Sequence, residues 1–245
     1  MGYLNTEGII LSRRNIFEED QEIFILTPRG GIKARAPHAR GSQKTYCGRL
    51  EPPNYLDLRL YRVREHSDWI VSELNTREVF SALLRRESLR YHLWPLLSLH
   101  RDLFPEQDQP GDCFDRLIRA FRLLEDKFGR PLMVINRVLV KLAAYSGIAH
   151  SLRRCGSCSA RSAQKWHLVP DRGLFCGDCL SADRGFEIPG RVIELYRIFL
   201  DETWQELKTE QMTEEYLEKL ESIMYRFFHY HFDIRLEALK VRQQL

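Results

Sequence analysis

The chain has 245 residues, 44% hydrophobic and 29% charged, with 37 basic residues against 34 acidic ones. This composition is ordinary for a globular protein and excludes disorder as the main state, and the length favours two domains. A net charge of +3 is too small to indicate a polyanionic partner by itself, so a nucleic-acid function must be judged from where the basic residues cluster.

Two compartment signals are missing from the sequence. No apolar run approaches the roughly 20 residues that a membrane span requires, and the first residues, "MGYLNTEGIILSRRN", lack the apolar stretch of a signal peptide. We therefore expect a cytoplasmic protein with no membrane partner. In that compartment the six cysteines are interpreted as reduced thiols. Cys47 and Cys113 have no cysteine or histidine at ligand spacing and are assigned no function.

The first 78 residues have the pattern of short β-strands. Apolar and β-branched residues recur there in five segments, several with period two, and turn residues such as "TPRGG" and "EHSD" separate them. Five short strands favour a small barrel over residues 1–78, with an OB-fold as the first candidate and an SH3-like barrel as the second. The predicted strands are 8–14, 22–27, 31–36, 55–64 and 68–75.

From residue 79 the apolar residues recur three and four apart, so residues 79–245 are predicted to form a helical domain. Pro95 is expected to interrupt the first helical segment, and Asp112 is expected to cap the second. Segment 131–147 begins with proline, ends with glycine and has few polar residues, so it is predicted to be the central helix. The predicted fold class is α+β.

Four cysteines interrupt the helical domain with the spacing C-x2-C-x17-C-x2-C, at Cys155, Cys158, Cys176 and Cys179. Each pair brings two thiolates to one ion from a tight turn, and four thiolates complete a tetrahedral shell without an open position. The spacing therefore predicts one structural Zn²⁺ in a module inserted at 150–186. A redox pair would need a helix N-terminus in a βαβ unit, which the surrounding sequence does not offer.

A basic stretch lies in the predicted barrel. Residues 28–49 contain no acidic residue, and two further arginines end the first predicted strand. Lys33 and Arg35 are two residues apart, so on a strand they point to the same side and could follow a phosphate backbone. A solvated surface loop is the alternative interpretation. The candidate nucleic-acid-binding residues are Arg13, Arg14, Arg29, Lys33, Arg35, Arg40, Lys44 and Arg49.

Other candidates carry less information. Tyr46, Tyr55 and Tyr61 are candidates for base stacking, although core packing is favoured for Tyr61. The carboxylates of "FEEDQE", residues 17–22, are interpreted as solvated groups between two strands. The sequence contains no common nucleotide-binding, hydrolase or metalloprotease signature. We therefore predict no catalytic residues and no enzyme.

These features together resemble RecO, a family of bacterial recombination mediators. The similarity lies in the order of a barrel with a basic third strand, a helical region and an inserted four-cysteine site. Its local matches are "EEDQEIFILTPRGGIKARA", "ARGSQKTYCGRLEP" and the helix end "KLAAYSG" before the first cysteine. One departure is Pro37-His38, where family members usually carry a basic residue and a glycine.

The resemblance implies a non-enzymatic role in DNA repair and recombination. Family members bind single- and double-stranded DNA, anneal complementary strands and work with RecR to load RecA onto DNA coated by single-stranded-DNA-binding protein. The acidic C-terminal tail of that coating protein would dock on the helical domain, and a nucleoid-associated location is implied.

Two other readings of the sequence stay open. One is a zinc-ribbon transcription or translation factor whose module touches nucleic acid through residues such as Arg161, Lys165, Trp166 and Arg172. The other is a metal-dependent nuclease whose carboxylates are brought together by the fold.

Overall fold

The computed structural model describes residues 2–40, 46, 48–64, 67–105, 110–126, 130–169, 172–180, 185–201 and 212–232. The fold is α+β, as predicted. The described residues form two compact units, one that reaches Asp126 and one that begins at Arg130. The predicted domain limits at residue 78 and at the inserted module stay predictions. Within the described ranges, no helix combines the length and the apolar character needed to cross a bilayer.

A closed five-stranded barrel forms the start of the first unit and confirms the predicted OB-fold. The strand order around the barrel is β1-β2-β3-β5-β4, antiparallel except for the parallel pair of β3 and β5. β1 begins six residues before its predicted start because its first half pairs with β4 and its second half pairs with β2. The strands are β1 (Gly2–Asn15), β2 (Gln21–Thr27), β3 (Gly30–Ala36), β4 (Tyr55–Arg62) and β5 (Trp69–Glu78).

The barrel core is made by the inward residues of all five strands. Ile10, Ile25 and Leu60 are fully buried, which follows from the period-two alternation of the strand segments. Gly31 has no room for a side chain, because a Cβ there would lie 2.2 Å from the carbonyl oxygen of Phe104. The alternation also fixes which side chains of each strand face outward.

Three helices follow the barrel in the first unit. The prediction that Pro95 interrupts the first segment is wrong, since Pro95 lies buried inside α2 and the break comes at Arg86, whose ψ is 102°. The carbonyl that loses its helical partner belongs to Tyr91, on the exposed side of the helix, where water can replace the missing N–H. The helices are α1 (Ser81–Arg85), α2 (Glu87–Leu103) and α3 (Cys113–Glu125).

The starts of α1 and α3 are stabilised in different ways. The Glu125 carboxylate accepts hydrogen bonds from the backbone N–H groups of Ala82 and Leu83, so a side chain of α3 caps α1. Asp112 precedes α3 as predicted, but its carboxylate makes no capping bond. It accepts a hydrogen bond from Arg116 Nε at 2.8 Å instead.

The second unit combines three helices with a small sheet. α4 is buried from Leu132 to Val140 and packs against α5 and α6, which confirms it as the central helix. A short 3-10 turn at Ala149–Leu152 leads into a three-stranded sheet of order β7-β6-β8. The elements are α4 (Pro131–Tyr145), β6 (Lys165–Val169), β7 (Gly173–Cys176), β8 (Phe186–Pro189), α5 (Gly190–Asp201) and α6 (Glu214–Phe232).

Two cations of α4 stabilise the end of α5. Arg137 donates a hydrogen bond to the carbonyl of Phe199 at 3.3 Å, and Lys141 donates to the carbonyl of Leu200 at 2.5 Å. The last carbonyls of a helix lack partners within the helix and carry partial negative charge. These contacts therefore fix α5 and the sheet that precedes it against the central helix.

Candidate metal centre and nucleic-acid interface

The four predicted metal ligands come together. The sulfur atoms of Cys155, Cys158, Cys176 and Cys179 all lie within 4.8 Å of one another, and Cys158 Sγ and Cys176 Sγ are 3.6 Å apart. A tetrahedral ion with bonds of about 2.3 Å to sulfur separates its sulfurs by about 3.8 Å. The cluster therefore has the size and the donor set for one four-coordinate metal ion.

Two tight turns hold the cysteine pairs. The N–H of Ser159 donates to the carbonyl of Cys155 at 3.0 Å, and the N–H of Cys179 donates to the carbonyl of Cys176 at 3.0 Å. The left-handed residue of the first turn is Ser159, with φ of 61°. Gly156, the residue after the first cysteine, allows close packing, since a Cβ there would meet the Phe175 ring at 3.3 Å.

The electrostatics of the cluster favour a bound cation. Burial alone would raise the pKa of the Cys155 thiol, but hydrogen bonds from the backbone of Cys158 and Cys176 outweigh it and lower the pKa to about 6. A hydrogen bond with Cys176 raises the pKa of Cys179 to about 12. One thiolate therefore forms readily, whereas a full set of four needs positive charge among the sulfurs.

Of the two remaining cysteines, the structure describes only Cys113, which belongs to no metal-ligand group among the described residues. Cys113 is buried at the start of α3, which agrees with a thiol without ligand spacing. Cys47 lies outside the described residues.

The zinc-ribbon alternative predicts that side chains of the cysteine module contact nucleic acid. Most of these side chains contact other residues of the second unit. Trp166 is only 1% exposed, and the Arg197 guanidinium lies over its ring at 5.4 Å. Lys165 pairs with Glu187 at 3.0 Å. A buried ring cannot stack on a base, so these contacts weaken the reading of the module as a zinc-ribbon reader.

The basic third strand faces acidic residues that the sequence places far from it. Lys33 and Arg35 point to the same outer side of β3, as the alternation predicts, and β2 puts Glu22 directly opposite Arg35. Glu22 pairs with both Lys33, at 2.9 Å, and Arg14, at 2.5 Å, while Arg35 lies 3.7 Å from Asp20. These two carboxylates are therefore only partly exposed to solvent, and strand pairing makes them counter-charges of the basic strand.

The other candidate residues are distributed around the barrel. Arg13 pairs with Glu51 at 2.5 Å, and Arg40 Nη1 donates to the carbonyl of Glu18 at 3.2 Å. Arg29 is apart from them and lines an open cavity of about 590 Å³ with Arg59 and Arg77. Arg49 is exposed, and Lys44 lies outside the described residues. The DNA-binding role of all these residues stays a prediction.

The departure at Pro37-His38 has a structural consequence. His38 has φ of 53°, a left-handed backbone conformation that favours glycine. Its Nδ1 lies 2.7 Å from a carboxylate oxygen of Glu19, and this hydrogen bond raises the pKa of His38. The position where the resemblance implies a glycine therefore keeps a glycine-like backbone here and holds a weakly basic ring.

The three candidate stacking tyrosines have different surroundings. Tyr55 is 5% exposed, and burial and its hydrogen bond to Glu7 raise its pKa to about 12. Tyr46 donates to the carbonyl of Val71 at 3.3 Å. Tyr61 lies on the outer face of β4, so core packing is the wrong reading of this residue. Tyr3, the outward partner of Tyr61 on β1, was not predicted, although it alternates with less exposed neighbours.

Comparison with known families adds an independent observation. The family model described as "Recombination protein O N terminal" matches residues 1–76, and "Recombination protein O C terminal" matches residues 95–240. The second match alone covers more than half of the chain. The chain belongs to the RecO family. The resemblance of the sequence to RecO is thereby confirmed.

Curated proteins named DNA repair protein RecO are similar to this RecO-family chain over most of its length. The protein of Frankia casuarinae (strain CcI3) is 28% identical over 176 residues, which cover 71% of this chain and 72% of the relative. That of Thermobifida fusca (strain YX) is 24% identical, over 74% and 75% of the two chains. That of Nocardioides sp. (strain JS614) is 28% identical, over 71% and 72%.

Proposed function

We propose that this RecO-family chain is a non-enzymatic DNA repair and recombination mediator that binds single- and double-stranded DNA and anneals complementary strands. The observation that carries the proposal is the closed OB-fold barrel with cations on the outer side of β3, in a chain that matches both RecO family models. Annealing needs charge neutralisation and strand alignment but no bond chemistry, so a surface of cations without a catalytic group is sufficient.

The binding step is an exchange of ion pairs. Arg14 and Lys33 share Glu22, but all three groups lie at the surface, where such pairs contribute only about 0–1 kcal/mol. A phosphate backbone can therefore replace the carboxylate and release its own counterions. Each single-strand phosphate contact is expected to lower the slope of log affinity against log salt by about 0.7.

We further propose that the four cysteines bind one structural Zn²⁺. Four thiolates are the donor set that zinc takes at closed sites, and their geometry fits a tetrahedral ion. When bound, the ion supplies folding free energy to the module. The chain's own contribution is to aim the backbone N–H of Cys176 at the buried sulfur of Cys155.

The proposed partners follow from family membership. With RecR, the chain would help to load RecA onto DNA coated by single-stranded-DNA-binding protein, whose C-terminal tail would dock on the helical region. Because the proposed activity acts on chromosomal DNA, we propose a cytoplasmic location at the nucleoid.

A strand-annealing assay with labelled complementary strands, bare or coated by single-stranded-DNA-binding protein, tests the proposal. We expect annealing by the wild-type chain and a loss on the order of tenfold or more, at about 0.1 M salt, for the double variant Lys33→Glu, Arg35→Glu. The control is Arg85→Glu, Arg90→Glu, which makes the same charge change at exposed residues of the helices that follow the barrel.

Two outcomes would contradict the proposal. Equal annealing and an equal salt slope for the β3 variant and the wild type would remove β3 from the DNA interface. Cleavage of the labelled strands that depends on Mg²⁺ or Mn²⁺ would show a nuclease and overturn the non-enzymatic assignment.

A further inference from the structure

An aromatic surface lies on the outside of the barrel, on the first half of β1 and on β4. We call Tyr3, Tyr61 and Arg59 the stacking surface. Tyr3 is 61% exposed, and its ring centroid lies 6.3 Å from that of Tyr61 with 36° between the ring planes. The Arg59 guanidinium lies over the Tyr3 ring at 5.6 Å. The surface therefore combines two neighbouring rings with a cation.

The strand alternation explains why these rings face outward. Tyr3 and Tyr61 are directly opposite each other in the β1–β4 ladder, and the next pair, Leu4 and Leu60, points toward the core. A cross-strand aromatic pair contributes about 0.2–1 kcal/mol to a sheet. Tyr3 leaves most of its surface in water, so sheet stability alone gives little reason for an aromatic side chain there.

The stacking surface continues from the basic strand without a gap in the sheet. Arg35 of β3 is paired with Ile70 of β5, Ile70 is opposite Tyr61, and Tyr61 is opposite Tyr3. Directly opposed residues lie on the same face of a sheet. Three strand spacings of about 4.8 Å separate the backbone of Arg35 from that of Tyr3, which gives a path of about 14 Å along the curved wall of the barrel. A single strand that follows this wall can contact both ends.

We propose that the stacking surface holds the unpaired bases of a single strand whose phosphates contact the cations of β3. This inference rests on the proposed function, because it needs DNA at β3. It adds a surface that favours binding of single-stranded DNA over duplex DNA. Every base has a π face, so stacking on Tyr3 and Tyr61 is tolerant of sequence. In a duplex those faces are covered by neighbouring base pairs, so the stacking surface contributes nothing to duplex binding.

The chemistry of the surface fits a base better than a protein partner. A stable protein interface buries about 800 Å² on each side around an apolar centre. Here two rings are bordered by charged groups, including Arg59, which pairs with Glu73 at 3.3 Å. Such a small aromatic area beside guanidinium groups is suited to one or two stacked bases and an adjacent phosphate.

The test measures the affinity of the full-length chain for a labelled oligo-dT and for a duplex of the same length, over a range of salt. We expect Tyr3→Leu and Tyr61→Leu each to weaken oligo-dT binding by about fivefold to a hundredfold. Duplex affinity and the salt slope should not change, since no cation is lost. Tyr3→Phe keeps the ring and should bind as the wild type does. Tyr91→Leu, at an exposed tyrosine of α2, is the matched control.

The outcomes separate this inference from the proposed function. If the leucine variants bind oligo-dT normally while the Lys33→Glu, Arg35→Glu variant does not, the inference is wrong and the proposed function stands. If the wild type binds no DNA, both are wrong. If the leucine variants lose as much affinity for duplex as for oligo-dT, stacking is also wrong. Stacking is wrong as well if these variants bind DNA normally and lose annealing activity only on protein-coated strands. Tyr3→Leu decides alone if Tyr61→Leu does not fold, because Tyr3 is mostly exposed.

Discussion

His100 shows how one buried side chain couples the stability of this protein to pH. Its Nδ1–H group lies 2.8 Å from the carbonyl oxygen of Leu96, and Nε2 has no hydrogen-bond partner within the described part of the chain. Burial lowers the pKa of His100 to about 4. The native state therefore holds a neutral imidazole at a pH where the unfolded chain is protonated.

The free energy of unfolding should consequently fall as the pH is lowered through this window. An unfolded histidine has a pKa of about 6.5, so above that pH the contribution is complete, and it is lost as the pH falls toward about 4. We expect about 2 kcal/mol less stability at about pH 5 than at about pH 7 from this group. Urea unfolding at both pH values measures it.

His100→Gln is the control for this prediction, because glutamine does not titrate in this range. The variant should lose this part of the pH dependence, whatever its stability at neutral pH. Parallel curves of stability against pH for the two proteins would contradict the assignment to His100.

For single residues, the sequence predicted which side of a strand a side chain faces better than it predicted which residues that side chain contacts. The phase of Lys33 and Arg35 on β3 follows from alternation alone, and the cysteine cluster follows from its spacing. The outward position of Tyr61 follows from the same alternation, since Leu58 and Leu60 face the core, although core packing was expected for this residue. Only its contact with Tyr3 depends on strand pairing.

Among the elements, the pair of β2 and β3 decides the charge of the predicted DNA-binding face. Glu22 lies between Arg14 and Lys33 and reduces the positive potential of the face. Removing its charge should leave both cations available to phosphate. Since exposed ion pairs contribute little to stability, the barrel should stay folded.

We therefore expect Glu22→Gln to bind oligo-dT more tightly, by about threefold at low salt, with the advantage shrinking as salt is added. Glu218→Gln, at an exposed position of α6, makes the same change in net charge and should have no effect. Fluorescence anisotropy over a salt series measures both. Unchanged or weaker binding by Glu22→Gln would mean that DNA does not contact this face.

Helix boundaries were predicted less well than helix existence. Pro95 was expected to end a helix because it lacks an N–H, but its ring is buried and the lost bond lies on the exposed side. The actual break at Arg86 is followed by a second helix start that no strong sequence signal marks. Packing outweighs local propensity at both places.

For the whole molecule, the metal centre should support the second unit and not the barrel. The cysteines join the turn after α4 to the end of β7, and the small sheet packs against α5. The barrel has its own buried core, which contains none of the four cysteines. Loss of the metal should therefore act on one of the two compact units.

Chelation of the metal in the full-length chain is expected to expose amides of β6 and β7 to hydrogen exchange and to lower the stability of the second unit by several kcal/mol. Amides of β1–β5 should keep their protection. Restoring Zn²⁺ should reverse the change, and Cys155→Ser with Cys176→Ser should reproduce it without a chelator. A purified chain without metal that protects β6 and β7 fully would contradict the structural role.

The sequence by itself determined the change from strand to helix periodicity, the side of β3 that carries Lys33 and Arg35, and the cysteine spacing. The periodicity and the phase of β3 depend on residues within a few positions of one another, and the two Cys-x2-Cys pairs form a ligand pattern in themselves, so these features need no tertiary information. Tertiary structure alone decided that Glu22 and Asp20 oppose the basic strand and that Tyr3 meets Tyr61. Such contacts join residues far apart in the chain, and the closure of the barrel sets their register.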